Sequence, residues 1–433
     1  MSHYKPYTAY KESGVGWIEP IPKHWDIVRI KRFTTLNTAR TSEARDNIPY
    51  IGLEDVESGS GKYAPTESNS RQSDTSTVGV ISKGQVLYGK LRPYLRKAII
   101  TDFDGVCSTE FLALQPDRVL PELLQNWLLS PHVTQQIEST CEGAKMPRAD
   151  WEGIGNILMP LPPVEEQIVI RDRTRAEASR IDTLISKKAR FIELLKEKRQ
   201  TLITHAVTKG LNSDVKMKDS GVEWIGEIPV HWKVKPMKYV VSCNDDLLPE
   251  STEPQTKIRY VDISSVTYEE GIYSAAEMLF LDAPSRARRK ANYGDVIVST
   301  VRTYLKAVAS INEKYSDCIF STGFAVLRSR PEELNSKFLK WLVLNELFIQ
   351  AVEAHSEGLS YPAINAPVLI SLKVAVPPMD EQMEISLEID KETSRIDNLI
   401  NKTQKSIDLL RERRSAFVTA AVTGQIDLRG EPG

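Results

Sequence analysis

Apolar residues follow two different rhythms along this chain. Short runs such as Val78 to Ile81, Val86 to Tyr88 and Ala98 to Thr101, broken by Gly, Pro and Asn or Asp, predict a mixed, strand-dominated domain. Helical spacing appears inside it from Glu122 to Leu129, where Pro131 is expected to end the run, and later from Ser336 to Ala354. The second rhythm begins after Pro162-Pro163, a pair that suits a first helical turn because proline lacks the amide left unpaired there. Glycine and proline then vanish for about 45 residues, while Ile181, Leu184, Ile185, Ile192, Leu195, Leu202 and Ile203 draw an apolar stripe.

The same succession is written twice. SGVGWIEPIPKHW from Ser13 is answered by SGVEWIGEIPVHW from Ser220, GQVLYGKLRPYLRKA from Gly84 by GDVIVSTVRTYLKAV from Gly294, and Pro162-Pro163 by Pro377-Pro378. The offset grows from 207 through 210 to 215, as small loop insertions inside a common fold would make it. At 215 residues the stripe recurs as Ile396, Leu399, Ile400, Ile407, Leu410, Phe417 and Val418, apolar at all seven positions. A helix of ~40 residues is ~60 Å long, more than one small domain covers. Each long helix therefore needs a partner, and the other copy is the nearest candidate. Lys188 and Thr403 interrupt the stripes, so the seam is expected to be irregular. The plainer reading, that each stripe is simply a domain core, remains open.

The expected fold class is α+β: two similar β-rich domains, each followed by a long α-helix, with the helices pairing as an antiparallel coiled-coil spacer and a pseudo-twofold internal repeat. The boundaries read as 1–161 and 211–376 for the domains, 162–210 and 377–425 for the helices, and 426–433 for a tail. A chain of 433 residues with 41% hydrophobic and 26% charged residues is the mixture of a globular protein with more than one core. No run approaches the ~18 to 20 apolar residues of a membrane helix, and a polar start makes a cytoplasmic location the default. A formal net charge of −2 argues against a protein that grips nucleic acid over its whole surface. Any nucleic-acid contact would have to be local, or shared with a basic partner.

Reactive chemistry is sparse. Cys107, Cys141, Cys243 and Cys318 form no CxxC pair, and the six histidines show no close metal-ligand spacing, so no metal site is expected. Gly59-Ser60-Gly61-Lys62 echoes a phosphate loop, but Val56 stands where that motif needs its first glycine and Tyr63 where it needs Ser or Thr. It reads as a flexible turn. His24 and His231 recur in a Pro-x-His-Trp motif where packing on the tryptophan is the simpler role. No catalytic residue is named.

The order of domain, Pro-Pro-x-Glu/Asp-Glu-Gln, long helix with Ser179-Arg180-Ile181-Asp182 or Ser394-Arg395-Ile396-Asp397, and closing Ala421 to Leu428 (AVTGQIDL) resembles type I restriction-modification specificity subunits over nearly the whole chain. The resemblance implies that the β-rich regions are target-recognition domains, each reading one half of a split, asymmetric site on double-stranded DNA. It implies a non-catalytic chain whose partners are two modification (methyltransferase) subunits and the restriction (translocase/nuclease) subunits. S-adenosylmethionine, ATP and Mg would belong to those partners, and no cofactor to this chain. Related readers with pseudo-twofold symmetry should meet half-sites roughly one helical turn, ~34–36 Å, apart. Differing sequences of the two halves predict a non-palindromic site.

Basic and aromatic residues at strand-loop junctions are the candidate contacts, since they can reach phosphates and base edges. The leading set is Lys90, Arg92, Tyr94 and Arg96 with Arg302, Tyr304 and Lys306. Lys145, Arg148 and Tyr361 lie in matched loops before the Pro-Pro segments, and Arg286 to Lys290 is a basic cluster suited to phosphate. Repetition can equally mark a structural role, such as an arginine held by an acid of its own domain. Two other classes of function stay open: a coiled-coil scaffold with tandem protein-binding domains, and a duplicated enzyme, which would need a matched acid-base pair.

Overall fold

The computed structural model describes residues 4–42, 48–65, 77–141, 146–358 and 360–430. The chain divides into two compact units, Met1–Ala189 with Lys405–Gly433, and Arg190–Gln404.

In the first unit, Thr34–Asn37, Phe111–Pro116, Val86–Gly89 and Ala98–Ile100 form an antiparallel four-stranded sheet. A second sheet orders Arg40–Thr41, Val78–Ile81, Gly105–Cys107 and Tyr50–Ile51, the last pair parallel. The strand Val86–Gly89 is buried along its whole length because it feeds two cores. Val86 and Tyr88 pack with Trp25 and Trp127, and Leu87 packs on the other side with Ile51 and Phe111.

The second unit repeats this plan. Val241–Cys243, Phe324–Ser329, Val296–Ser299 and Val308–Ser310 make its antiparallel sheet. Lys257–Val261 again runs parallel to Ile319–Ser321, with Ala287–Lys290 antiparallel on the latter's far side. Val296 and Val298 join the cluster of Trp232 and Trp341, and Ile297 joins Phe320 and Phe324.

The run from Glu122 ends before Pro131 as expected, Pro121–Leu128 being the helix, but Pro131 also opens a further helix, Pro131–Ser139, with proline in its first turn. The run from Ser336 to Ala354 splits into Ser336–Val343 and Glu346–Ala354, because the Asn345 side chain accepts the Leu347 amide (3.2 Å) and caps a new start.

The long helices are Val164–Lys209 and Met379–Val422. The N-terminal part of the first shares a unit with the C-terminal part of the second, and the reverse holds in the other unit, as antiparallel pairing requires. Arg413 and Arg414 reach Glu177 and Asp182 (both 3.1 Å) in the first unit, and Arg199 reaches Asp397 (3.3 Å) in the second. The seam is irregular in a repeated way. Ile181, Ile192, Ile396 and Ile407 are buried, whereas Leu184 and its counterpart Leu399 are exposed. Thr403 does not break the seam. It is buried, and its hydroxyl donates to the Leu399 carbonyl (2.7 Å), so no polar group is left unpaired.

The Pro-Pro-x-Glu/Asp-Glu-Gln segments latch each helix start onto its domain. Gln167 donates to the carbonyls of Arg118 (3.1 Å) and Pro162 (3.0 Å) and accepts the Leu120 amide (2.9 Å). Gln382 repeats all three bonds with Glu333, Pro377 and Asn335. The adjacent carboxylate holds the Pro-x-His-Trp motif. His231 lies 2.5 Å from Glu381, which also accepts Trp232 Nε1 (2.9 Å). His24 lies 2.7 Å from Glu166, which accepts the Tyr7 hydroxyl instead. Burial and the hydrogen bond to Glu166 both raise the Tyr7 pKa, keeping that phenol a donor.

Candidate nucleic-acid interface

Val86–Gly89 and Ala98–Ile100 are hairpin partners, as are Val296–Ser299 and Val308–Ser310, and the candidate residues sit on the connections between them. Each connection is a single 3-10 turn, Pro93–Leu95 or Thr303–Leu305, bounded on both sides by left-handed residues. Arg92 and Arg96 have φ of 53° and 47°, and Arg302 and Lys306 have 53° and 49°. None is glycine, so each conformation costs about 1 kcal/mol or more.

The surroundings impose that geometry. The Arg92 amide donates to the Pro147 carbonyl (2.9 Å), the Ala149 amide to Lys90 (2.8 Å), and the Lys90 amide to Glu110 (2.9 Å). The second unit reproduces the clamp with Thr303 to Pro362 (3.4 Å), Ile364 to Thr300 (2.9 Å), and Thr300 to Gly323 (2.8 Å). Bridges Leu91 to Arg148 and Val301 to Ala363 close it. The strained turn occurs in both units, with a basic residue at each strained position.

What the turns present is cationic and aromatic. Tyr94 and Tyr304 are 48% and 53% exposed, and Arg92 and Arg302 are exposed beside them. Among the described residues, Lys90, Arg92 and Arg302 make no ion pair. The Arg302 guanidinium lies 5.2 Å from the ring centre of Tyr361, which is 67% exposed. The structure thus brings Arg302 and Tyr361 together, with Tyr304 on the same turn as Arg302.

Other candidates are placed differently. Arg148 donates from Nη2 to both carboxylate oxygens of Glu110 (2.9 Å each), so its charge already has a partner within its own domain. Gly323 and Ala363 replace this pair in the second unit. Arg96 turns toward the long helices and lines a cavity with Arg411 and Arg414, and Lys306 lies 4.0 Å from Glu346. In the basic cluster, Arg286 pairs with Asp262 (2.8 Å) and Arg288 stacks on Phe280 (4.8 Å). Lys145 lies outside the described residues.

Sequence reasoning missed the left-handed pairs, and the signal was weak: basic residues at 92 and 302 and again at 96 and 306, with no glycine to announce positive φ. Among the described residues no group of three or more His, Cys, Asp or Glu side chains is placed to hold a metal. Among the same residues, no helix is long and apolar enough to cross a membrane.

No family model matches the chain. It is 21% identical over 426 residues to the type I restriction enzyme MjaVIII specificity subunit of Methanocaldococcus jannaschii, covering 94% of both chains. It is 19% identical to the StySPI specificity subunit of Salmonella potsdam across 94% of this chain and 90% of that one. The Escherichia coli EcoDI specificity subunit is 26% identical over 165 residues, 38% of this chain and 37% of its own. Among solved structures, a chain from a study of complex assembly and conformational transition in the type I R-M system superposes with a TM-score of 0.71 at 21% identity, over 94% of this chain and 99% of its own. The HsdS subunit from Thermoanaerobacter tengcongensis superposes at 0.53 with 21% identity, over 94% and 98%.

Proposed function

We infer that this chain, similar over nearly its whole length to type I restriction enzyme specificity subunits, is a DNA-specificity subunit of that kind. It reads a bipartite, asymmetric site on double-stranded DNA and directs methyltransferase and restriction subunits to it. The observation that carries this reading is the duplicated, strained turn presenting Arg92 and Tyr94 in one unit and Arg302 and Tyr304 in the other.

The turns share a backbone and differ in what flanks it. Lys90 and the Glu110–Arg148 pair stand in one unit where Thr300, Gly323 and Ala363 stand in the other. A common scaffold fixes approach to the duplex, and differing side chains give differing donor and acceptor patterns for base edges. Two unlike half-sites follow. Exposed guanidinium and phenol groups suit bidentate contacts to guanine and hydrogen bonds to phosphate.

The chain itself is non-catalytic in this reading. Methyl transfer from S-adenosylmethionine belongs to two modification subunits, and ATP- and Mg-dependent translocation and cutting to restriction subunits. Gel-shift assays of the chain with its modification subunit test the function. A sequence-dependent complex is expected, and a complex indifferent to sequence, or none, overturns it in favour of a protein-binding scaffold.

A further inference from the structure

The two units carry related cavities that differ in charge, the second unit's groove running on over walls that in the first unit line a separate cavity with Glu19 and Glu412. In the first unit a cavity of about 440 Å³ lies between the turn at Glu57 to Lys62, Arg96 and the paired helix segments at Asp182, Arg411 and Arg414. In the second, a groove of about 1200 Å³ has matching walls: the turn at Tyr268 to Glu270, then Lys306, and the helix segments at Lys196, Arg199 and Asp397. Under the 215-residue offset Lys196 answers Arg411, Arg199 answers Arg414, and Asp397 answers Asp182.

Side chains alone separate them. Among the described residues, four Lys or Arg and seven carboxylates line the second groove, and three of the cations are matched: Lys196 reaches Glu269 (3.7 Å), Arg199 reaches Asp397 (3.3 Å) and Lys306 reaches Glu346 (4.0 Å). The first cavity has four Lys or Arg, Lys62, Arg96, Arg411 and Arg414, and two carboxylates, Glu57 and Asp182. Asp182 is shared, 3.1 Å from both Lys62 and Arg414, and Glu57 is turned to the Ser60 hydroxyl (2.9 Å). Among the described residues, Arg411 pairs with the exposed Asp408 (3.4 Å), three residues back on its own helix and outside the cavity wall. Arg414 Nε and its counterpart Arg199 Nε are alike, each shielded from solvent and facing a carboxylate without hydrogen-bond geometry, so the difference between the cavities lies in the other side chains. Positive charge is therefore left over in an open-mouthed cavity, where the Lys62 and Arg411 side chains stay 52% and 64% exposed and free to close on an anion.

We propose that the first cavity binds a phosphoryl oxyanion, with Lys62, Arg96 and Arg411 as its ligands, and that the second groove does not. Arg96 joins this cavity to the turn that presents Arg92 and Tyr94, so a backbone phosphate of DNA and a free polyphosphate both have the required chemistry. The DNA source rests on the function proposed above; the polyphosphate source does not.

The test uses the full chain and two probes. With pyrophosphate, thermal unfolding should shift upward in a dose-dependent way, and Lys62→Gln with Arg411→Gln should weaken the apparent affinity about tenfold or more, while Glu269→Gln leaves it unchanged. With duplex DNA and the modification subunit, Lys62→Gln should weaken binding equally for specific and nonspecific duplexes and lower the salt slope by about 1 if the source is a DNA phosphate. A pyrophosphate response without the DNA effect assigns the site to a free polyphosphate. Absence of both effects in a chain that still shifts specific DNA overturns the oxyanion site and leaves the DNA-reading function standing. Pyrophosphate binding without any sequence-dependent shift does the reverse.

Discussion

Glycine at position 92 should make the protein more stable and worse at binding DNA. Arg92 lies at φ 53° and ψ 64°, held by its own amide on Pro147 and by the Leu95 amide on its carbonyl (2.9 Å each), and glycine keeps both bonds. The left-handed conformation costs a residue with a Cβ about 1–2 kcal/mol. Against that, glycine's freer unfolded chain costs about 0.5–1 kcal/mol. The difference favours the variant by about 0.5–1 kcal/mol, which in a unit of this size raises Tm by about 1–4 °C. The lost guanidinium should weaken specific DNA binding by about 1–3 kcal/mol. Arg92→Ala separates the two effects, since it loses the guanidinium but keeps the strain: its affinity should fall as far, with Tm nearly unchanged. Calorimetry of the chain, with binding titrations at one fixed salt concentration, reads both quantities. A Tm lowered by more than about 2 °C in the glycine variant would refute the strain. Unchanged affinity in both variants would remove Arg92 from the interface.

Three further outcomes follow from particular contacts. Gln382→Ala strands the Asn335 amide and the Glu333 and Pro377 carbonyls, and should destabilise the second unit by about 1–3 kcal/mol in denaturant titrations. Asp427 is held below the usual carboxylate range by its hydrogen bond to the Arg429 side chain. Its stabilising contribution is therefore present above the unfolded carboxylate pKa and lost as pH falls through the lower folded value, so Asp427→Asn should flatten that part of the acid limb when Tm is followed from about pH 7 to about pH 3. Burial pushes the Cys107 thiol up to about 12, so alkylation at neutral pH, read by mass spectrometry, should reach it only on unfolding.

The duplication and the long helices were legible because they are periodic. A stripe of apolar residues at helical spacing, repeated at 215 residues, carries its meaning locally. Which stripe positions face the seam was not, since Leu184 and Leu399 are as apolar as Ile181 and Ile396 yet stand outside it. That choice is made by the path of the partner helix. The latch motif was visible as residues and invisible as contacts, because Glu166 meets His24 and Glu381 meets His231 across 142 and 150 residues of chain. The candidate turn shows the same limit. Its basic and aromatic residues stand out at a strand end, but its left-handed geometry is imposed by a loop some 55 positions away at Pro147, and no glycine reports it. Arg148 attracted notice for its charge, and its pairing with Glu110 depends on a contact 38 residues distant.

The most direct measurement maps methylated adenines genome-wide in cells carrying this chain with its modification subunits, and again after the chain is deleted. A single split motif with two unlike halves around an unread spacer should be present in the first and gone in the second. A motif that is palindromic or unbroken, or one that survives the deletion, would contradict two unlike readers in one chain.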